Sequence, residues 1–153
     1  MNFDGINLKG SHDSRTVRGY SALLKVTLAY STFDQLARLL ETKPNWPIPD
    51  TSLADNLRQR LDLNSIKSDE NTSKTSFTDI ETTDDVTRFA AAIRHMFAHG
   101  SGTPWGSTKD LTSQTIVHLE ELATALLTET ENRFDFWVKD KIASAALKES
   151  ATP

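Results

Sequence analysis

The residues best suited to chemistry in this 153-residue chain are Arg94, His95 and His99, which share one short segment. An arginine carries a permanent planar charge that can hold a phosphodiester by two hydrogen bonds and stabilise charge that develops on it. A histidine exchanges protons near neutral pH, because its unperturbed pKa is about 6.5. Together they supply what internal RNA cleavage requires without a metal ion, since the RNA 2′-hydroxyl is the nucleophile.

The spacing of Arg94 and His99 leaves two interpretations open. Positions five apart on an ideal helix are separated by about 140° around the axis, so one molecule alone would not focus both groups well. A second copy packed in two-fold symmetry would bring two arginine and histidine sets into one cleft. The structural alternative is an Arg94 salt bridge, with His99 favoured by the dipole at the helix end. The spacing alone favours this structural alternative over a catalytic pair.

Other kinds of catalytic or metal site find little support in the sequence. His95 and His99 are four apart, as in zincins, but Met96 stands where that pattern requires glutamate, and a third ligand is missing nearby. His12 and His118 are interpreted as solvated or structural. The chain has no cysteine, which excludes thiolate zinc sites and cysteine nucleophiles. We expect no metal and no cofactor.

The segment from Ala92 to Gly100, AIRHMFAHG, resembles the signature of HEPN domains (higher eukaryotes and prokaryotes nucleotide-binding). In that family an arginine is followed by a polar residue, and a histidine comes after four to six intervening residues. Here His95 is the polar residue and four residues intervene. The glycine closes the helix, as is frequent in the family. Three apolar residues fill the expected core-facing positions: Ile93, Met96 and Phe97.

The resemblance implies roles for these residues and a function for the chain. Arg94 and His99 correspond to the catalytic pair, and His95 to the polar position that helps to orient the site. Many HEPN proteins are dimeric, metal-independent endoribonucleases that act as toxins or as phage-defence and stress effectors. The implied partners are an RNA substrate, a second copy and an antitoxin, for example one of nucleotidyltransferase-like type, or another regulatory protein. Other members are noncatalytic helical modules that bind proteins or nucleotides, and that alternative stays open.

The net charge of -4 limits how the chain could bind RNA. Proteins that coat or store RNA carry an excess of lysine and arginine, so the balance counts against that function. A nuclease that touches RNA briefly needs only a local basic patch. Arg88, Arg94 and Lys109 are the residues that could form such a patch, with Arg88 and Lys109 as possible RNA contacts.

Apolar residues at three- and four-residue intervals predict helices over 16–41, 50–64, 82–100 and 112–142. No segment shows the alternation of a β-strand, and no internal repeat is present. The sequence therefore predicts a single all-α domain over 1–153, an up-and-down bundle of four to five helices of HEPN type. In the first helix the predicted stripe consists of Val17, Tyr20, Leu24, Thr27, Leu28, Ser31, Leu36, Leu39 and Leu40.

The remaining segments are polar. Residues 65–81 are predicted to form a long connection that only Ile66, Phe77 and Ile80 could anchor, and 1–14 and 148–153 are expected to be flexible. The first fifteen residues lack the pattern of a secretion signal. No apolar run approaches the roughly 18 residues of a membrane-spanning helix. These features together predict a cytoplasmic protein with no membrane partner.

Overall fold

The computed structural model of the chain describes residues 14–40, 46–74, 76–77, 79–99 and 112–150. The described part contains an isolated β-bridge between Pro49 and Asp85 but no strand. The all-α bundle predicted from the apolar spacing is therefore confirmed. Five helices occupy most of the described residues: α1 Ser14–Leu39, α2 Thr51–Arg60, α3 Leu63–Ser73, α4 Val86–His99 and α5 Ser113–Ser150.

We call helix α1 the central helix, because its packing against α5 and α4 is the most extensive in the bundle. Alanines on its buried face have short side chains, which let two neighbouring helices approach at once. Larger apolar side chains fill the remaining space and join the single core cluster. The buried residues of α1 are Ala22, Leu23, Val26, Ala29, Phe33, Leu36 and Ala37.

The predicted buried stripe of α1 was wrong over its first half, whereas Leu36 is buried as predicted. Val17, Tyr20, Leu24 and Leu28 are exposed, and Leu28 keeps 59% of its surface accessible. Apolar residues occur around most of the circumference of α1, so helical spacing fits two stripes equally well. The stripe that contains the alanines is buried, because only short side chains permit close packing on two sides.

Helices α1 and α5 run in the same direction. The ammonium of Lys25 donates to Oε1 of Glu120 at 2.7 Å. Further towards the carboxyl end of α1, the Phe33 ring meets the Trp46 ring edge to face, with 5.4 Å between centroids. The Arg133 guanidinium of α5 covers the same Trp46 ring at 5.2 Å. Later residues of α1 therefore lie beside later residues of α5.

A short backbone pairing fixes where α4 begins. The Val86 N–H donates to the Ile48 carbonyl at 3.0 Å, and the Ile48 N–H donates to the Asp85 carboxylate at 3.0 Å. Ile48 closely follows Trp46, so α4 begins at the end of the bundle where Trp46 contacts α5. Helix α4 thus runs against α5, and residues 94–99 lie towards the end where α5 begins.

Side-chain caps set the first residues of α2 and α4. The Asp50 carboxylate accepts the N–H of the third residue of α2 at 2.9 Å. The Asp85 carboxylate accepts from both the N–H and the hydroxyl of Thr87, at 3.1 Å and 2.7 Å. Because Asp85 is the cap, α4 begins at Val86, slightly after the predicted start at 82–84.

The predicted connection over 65–81 was wrong in its first part, which is helical in α3. The sequence of α3 is mostly polar, so it lacks the apolar repeat that would have indicated a helix. Its Ile66 is buried, as are Phe77 and Ile80, so the three anticipated anchors are confirmed. Helix α3 ends at Ser73, and the next residue, Lys74, has a left-handed φ of 63°.

Helix α5 continues past its predicted end at 142 and includes 148–150, whereas 1–13 and 151–153 lie outside the described residues. Its buried residues end at Thr130, and from 131 to 147 every side chain is exposed apart from a half-buried Val138. We name residues 131–147 the α5 extension. Within the described ranges, no helix combines the length and the apolar character needed to cross a membrane.

Candidate active site on helix α4

Helix α4 presents Arg94 to solvent while its neighbours anchor the helix in the core. Arg94 is exposed, whereas Ile93 and Met96 are 1% and 2% accessible. The core-facing positions predicted for Ile93 and Met96 are therefore confirmed. The prediction was wrong for Phe97, which is 37% exposed. One position beyond Met96 turns a side chain by about 100°, which carries Phe97 away from the buried stripe.

The charge of Arg94 is not neutralised by any carboxylate in the part of the chain that the structure describes. By contrast, Arg38, Arg58, Arg88 and Arg133 each form an ion pair with an aspartate or glutamate. The structural alternative for Arg94, a salt bridge within the chain, therefore has no partner among these residues. Its guanidinium keeps its planar set of donors for an anion from outside.

His99 is the last residue of α4, and its side chain lies outside the described residues. Five positions on an ideal helix correspond to a rise of about 7.5 Å along the axis. Arg94 and His99 therefore belong to the same end of one helix. Of the other predicted site features, Gly100 and Lys109 lie outside the described residues.

His95 faces a different part of the molecule from Arg94. Its ring packs against the Phe77 ring, with 5.7 Å between centroids and 59° between planes. Phe77 is buried and belongs to the connection that precedes α4. The contact fixes one side of the α4 carboxyl-terminal half against that connection. A role for His95 in orienting the site remains a prediction.

His118, outside the motif, pairs with a carboxylate of its own helix. Nδ1 of His118 is 2.7 Å from Oε2 of Glu121, one turn further along α5. This pairing agrees with the structural interpretation of His118. His12 lies outside the described residues.

Arg88 differs from Arg94 in its surroundings. Its guanidinium lies 3.5 Å from an Asp79 carboxylate oxygen and 3.9 Å from one of Asp85. These two carboxylates balance its charge and hold it near the start of α4. The predicted basic patch therefore loses much of the contribution of Arg88, and Arg94 is its least compensated described member.

Tyr30 of α1 is a candidate site residue that the sequence reasoning missed. Burial raises the pKa of its hydroxyl above the usual 10.0, and Asp34 raises it further, while the charges of Arg94 and Arg88 lower it. Tyr30 thus lies within electrostatic reach of Arg94 and keeps its proton at neutral pH. A signal existed in the spacing of Tyr30, Asp34 and Arg38, which places three polar residues along one face of an apolar helix.

A shallow groove of about 300 Å³ lies on the α5 side of α1, away from Arg94. Leu28 and Leu127 contribute to its apolar lining. The Lys25–Glu120 ion pair borders it, and the hydrogen bond from Lys25 lowers the pKa of Glu120. The groove lining contains no histidine or arginine, so the groove does not extend the candidate site.

Among the residues described, no group of three histidine, aspartate or glutamate side chains is placed to hold a metal ion. No family model matches the chain, and no curated protein or solved structure matches it either. The HEPN resemblance therefore rests on the segment 92–100 and on its position in an all-α bundle.

Proposed function

We propose that the chain is a metal-independent endoribonuclease of HEPN type, whose site contains Arg94 and His99 and is completed by a second copy. The observation that carries the proposal is the exposed guanidinium of Arg94, which has no carboxylate partner in the described residues. An exposed arginine without an ion-pair partner is free to bind the RNA phosphate. Phe97, three positions further and exposed, adds an aromatic surface on which a base can stack.

The reaction needs only groups that these residues and the RNA provide. The RNA 2′-oxygen attacks the adjacent phosphorus while its proton passes to a base, and the bond from phosphorus to the 5′-oxygen breaks. The products are a 2′,3′-cyclic phosphate and a 5′-hydroxyl that has gained a proton. Arg94 stabilises the negative charge on the pentacoordinate phosphorus. His99 takes or gives the proton, as imidazole can near neutral pH.

In this proposal a second copy of the chain brings the arginine and the histidine to the same phosphate. On an ideal helix, positions five apart are turned about 140° from each other, so one copy alone is not expected to direct both groups at a single phosphate. Two copies related by a two-fold axis present two arginines and two histidines to one cleft. Each RNA phosphate can then meet Arg94 of one copy and His99 of the other.

The cellular role that fits this activity is a toxin or a phage-defence or stress effector in the cytoplasm, restrained by an antitoxin. The second candidate is a noncatalytic helical module that binds a protein or a nucleotide. It is favoured by the acidic net charge of -4 and by the carboxylates around Arg88, which limit the attraction for long RNA. In such a module Arg94 would hold a single phosphate or carboxylate without cleavage.

Mixing two inactive variants tests whether the site is shared between copies. Arg94→Ala and His99→Ala are each expected to be inactive, but exchange of subunits creates dimers that retain one of each group. We expect the mixture to cleave RNA at least about 10-fold faster than either variant alone, since one intact set restores the transition-state contacts. Cleavage of a fluorescent RNA after overnight exchange provides the measurement.

The matched control mixes Arg94→Ala with the double variant Arg94→Ala/His99→Ala, which can supply no arginine. Native mass spectrometry of copies with different tags confirms that exchange took place. Recovery in the first mixture and none in the control supports a shared site. Absence of recovery after proven exchange rules the shared site out.

A further inference from the structure

The α5 extension carries large apolar side chains that no other described helix covers. Phe134 is 46% exposed, Trp137 36% and Ile142 65%. The Phe134 and Trp137 rings stack on each other, with 6.1 Å between centroids. Lys141 extends over the Trp137 ring at 5.9 Å. A helical segment of this length is marginal in water without a packed face, so these side chains indicate an interaction surface.

Four apolar residues of the extension form a stripe. Phe134, Val138, Ile142 and Ala145 recur at intervals of four and three positions, which places them on one face of a helix. Phe136 and Leu147 lie about 200° and 220° around the axis from Phe134, so both belong to the opposite side. This arrangement is typical of a helix that packs against one further helix.

Charged residues beside the stripe favour a second copy as that helix. Asp135 and Lys139 lie on the same border of the stripe, and neither forms an ion pair within the described residues. In an antiparallel pair related by a two-fold axis, the same border of each helix meets that of the other. Asp135 of one copy then lies next to Lys139 of the second copy, and symmetry repeats the contact.

We propose that the α5 extension is a self-association surface, on which the extension of a second copy packs in the antiparallel direction. With the axis near Val138, each Val138 meets its counterpart, and Phe134 of one copy meets Ile142 of the other. Large apolar side chains then alternate with smaller ones along the seam, as packed helices require. The flanking Asp135–Lys139 pairs fix the antiparallel direction.

This contact is separate from the candidate site and does not rest on the proposed function. Residues 94–99 lie towards the end of the bundle where α5 begins, and the extension leaves the opposite end. The contact therefore cannot bring two Arg94 side chains together. If a second two-fold contact completes the site, each chain has two different contacts, which assemble a closed tetramer or a longer chain.

Light scattering and sedimentation equilibrium measure the mass of the native chain in solution, and this mass tests the proposal. We expect an assembly of at least two copies, and Phe134→Ser is expected to halve its mass or raise its dissociation constant at least about 10-fold. Phe136→Ser is the matched control, because it removes the same side chain from the opposite side of the same turn. Far-UV circular dichroism verifies that both variants remain helical.

Exchanging the two charges tests the proposed Asp135–Lys139 ion pair between copies without removing apolar surface. Asp135→Lys and Lys139→Asp are each expected to weaken association, and the double variant is expected to restore it. A monomeric native chain, an equal effect of Phe134→Ser and Phe136→Ser, or no restoration in the double variant would overturn the proposal. RNA cleavage is assayed separately, so an inactive native chain that still associates through α5 counts against the proposed function alone.

Discussion

Replacing Arg94 with alanine is expected to lower the rate of RNA cleavage by about 10³-fold, the usual loss when one preorganised donor to a developing oxyanion is removed. The free energy of unfolding should change little, because the side chain is exposed and has no ion-pair partner among the described residues. Arg94→Lys keeps the charge but loses the planar pair of donors, so we expect a smaller loss. Single-turnover cleavage of a short labelled RNA measures both variants.

Arg88→Ala provides the matched control, since it removes the same side chain from the same helix. The Arg88 guanidinium is already balanced by Asp79 and Asp85, so its contribution to RNA binding is expected to be small. We expect cleavage to fall by less than about 10-fold. Equal losses for Arg88→Ala and Arg94→Ala would mean that general attraction of RNA, rather than a specific contact at Arg94, supports cleavage.

Phe33→Ala is expected to lower the free energy of unfolding by about 3–5 kcal/mol. The Phe33 side chain is fully buried in the central helix, where its ring packs against Tyr30 and Trp46. Alanine would leave a cavity between α1 and the segment that leads to α2. It would also remove the aromatic support beneath Trp46, which in turn carries Arg133 of α5.

Phe136→Ala is the control for this loss, because its side chain is 74% exposed on the α5 extension. We expect its effect on the unfolding free energy to stay within about 0.5 kcal/mol. Urea unfolding followed by circular dichroism at 222 nm measures both variants. A loss below about 1 kcal/mol for Phe33→Ala would contradict the central position of α1 in the core.

The sequence was sufficient to predict the helices that have a long apolar repeat, but not how each helix is oriented. Helix α3 was missed because Leu63 and Ile66 are its only apolar residues, and two residues make no sustained period. The buried face of α1 was predicted incorrectly because the helix is apolar on two sides. Only tertiary packing shows that Ala22 and Ala29 face the core while Leu24 and Leu28 face solvent.

The sequence was sufficient to predict the residue types of the candidate site, but only part of the contacts that surround them. The motif placed Ile93 and Met96 in the core and left Arg94 free to face solvent. It could not show that Arg88 would be balanced by Asp79, which precedes it by nine positions in another element. Nor could it show that Tyr30 of α1 would lie within electrostatic reach of Arg94, because that proximity arises from packing between helices.

The two proposed surfaces lie at opposite ends of the molecule, and a different function is proposed for each. The carboxyl-terminal half of α4 offers Arg94 to a phosphate, while the α5 extension at the opposite end offers an apolar stripe to a second copy. Since the two regions are well separated, substitutions in one should leave the other unaffected, as is usual for distant sites. Cleavage and association can therefore be measured independently in the same set of variants.

The chemical identity of the RNA ends tests the ribonuclease assignment most directly. Purified native chain, Arg94→Ala and His99→Ala are incubated with single-stranded and structured RNA in the presence of EDTA, after each protein is shown to be folded. We predict that the native chain produces 2′,3′-cyclic phosphate and 5′-hydroxyl ends, and that both variants fail to cut. An inert native chain, 3′-hydroxyl ends, or equal cleavage by the variants would contradict the assignment.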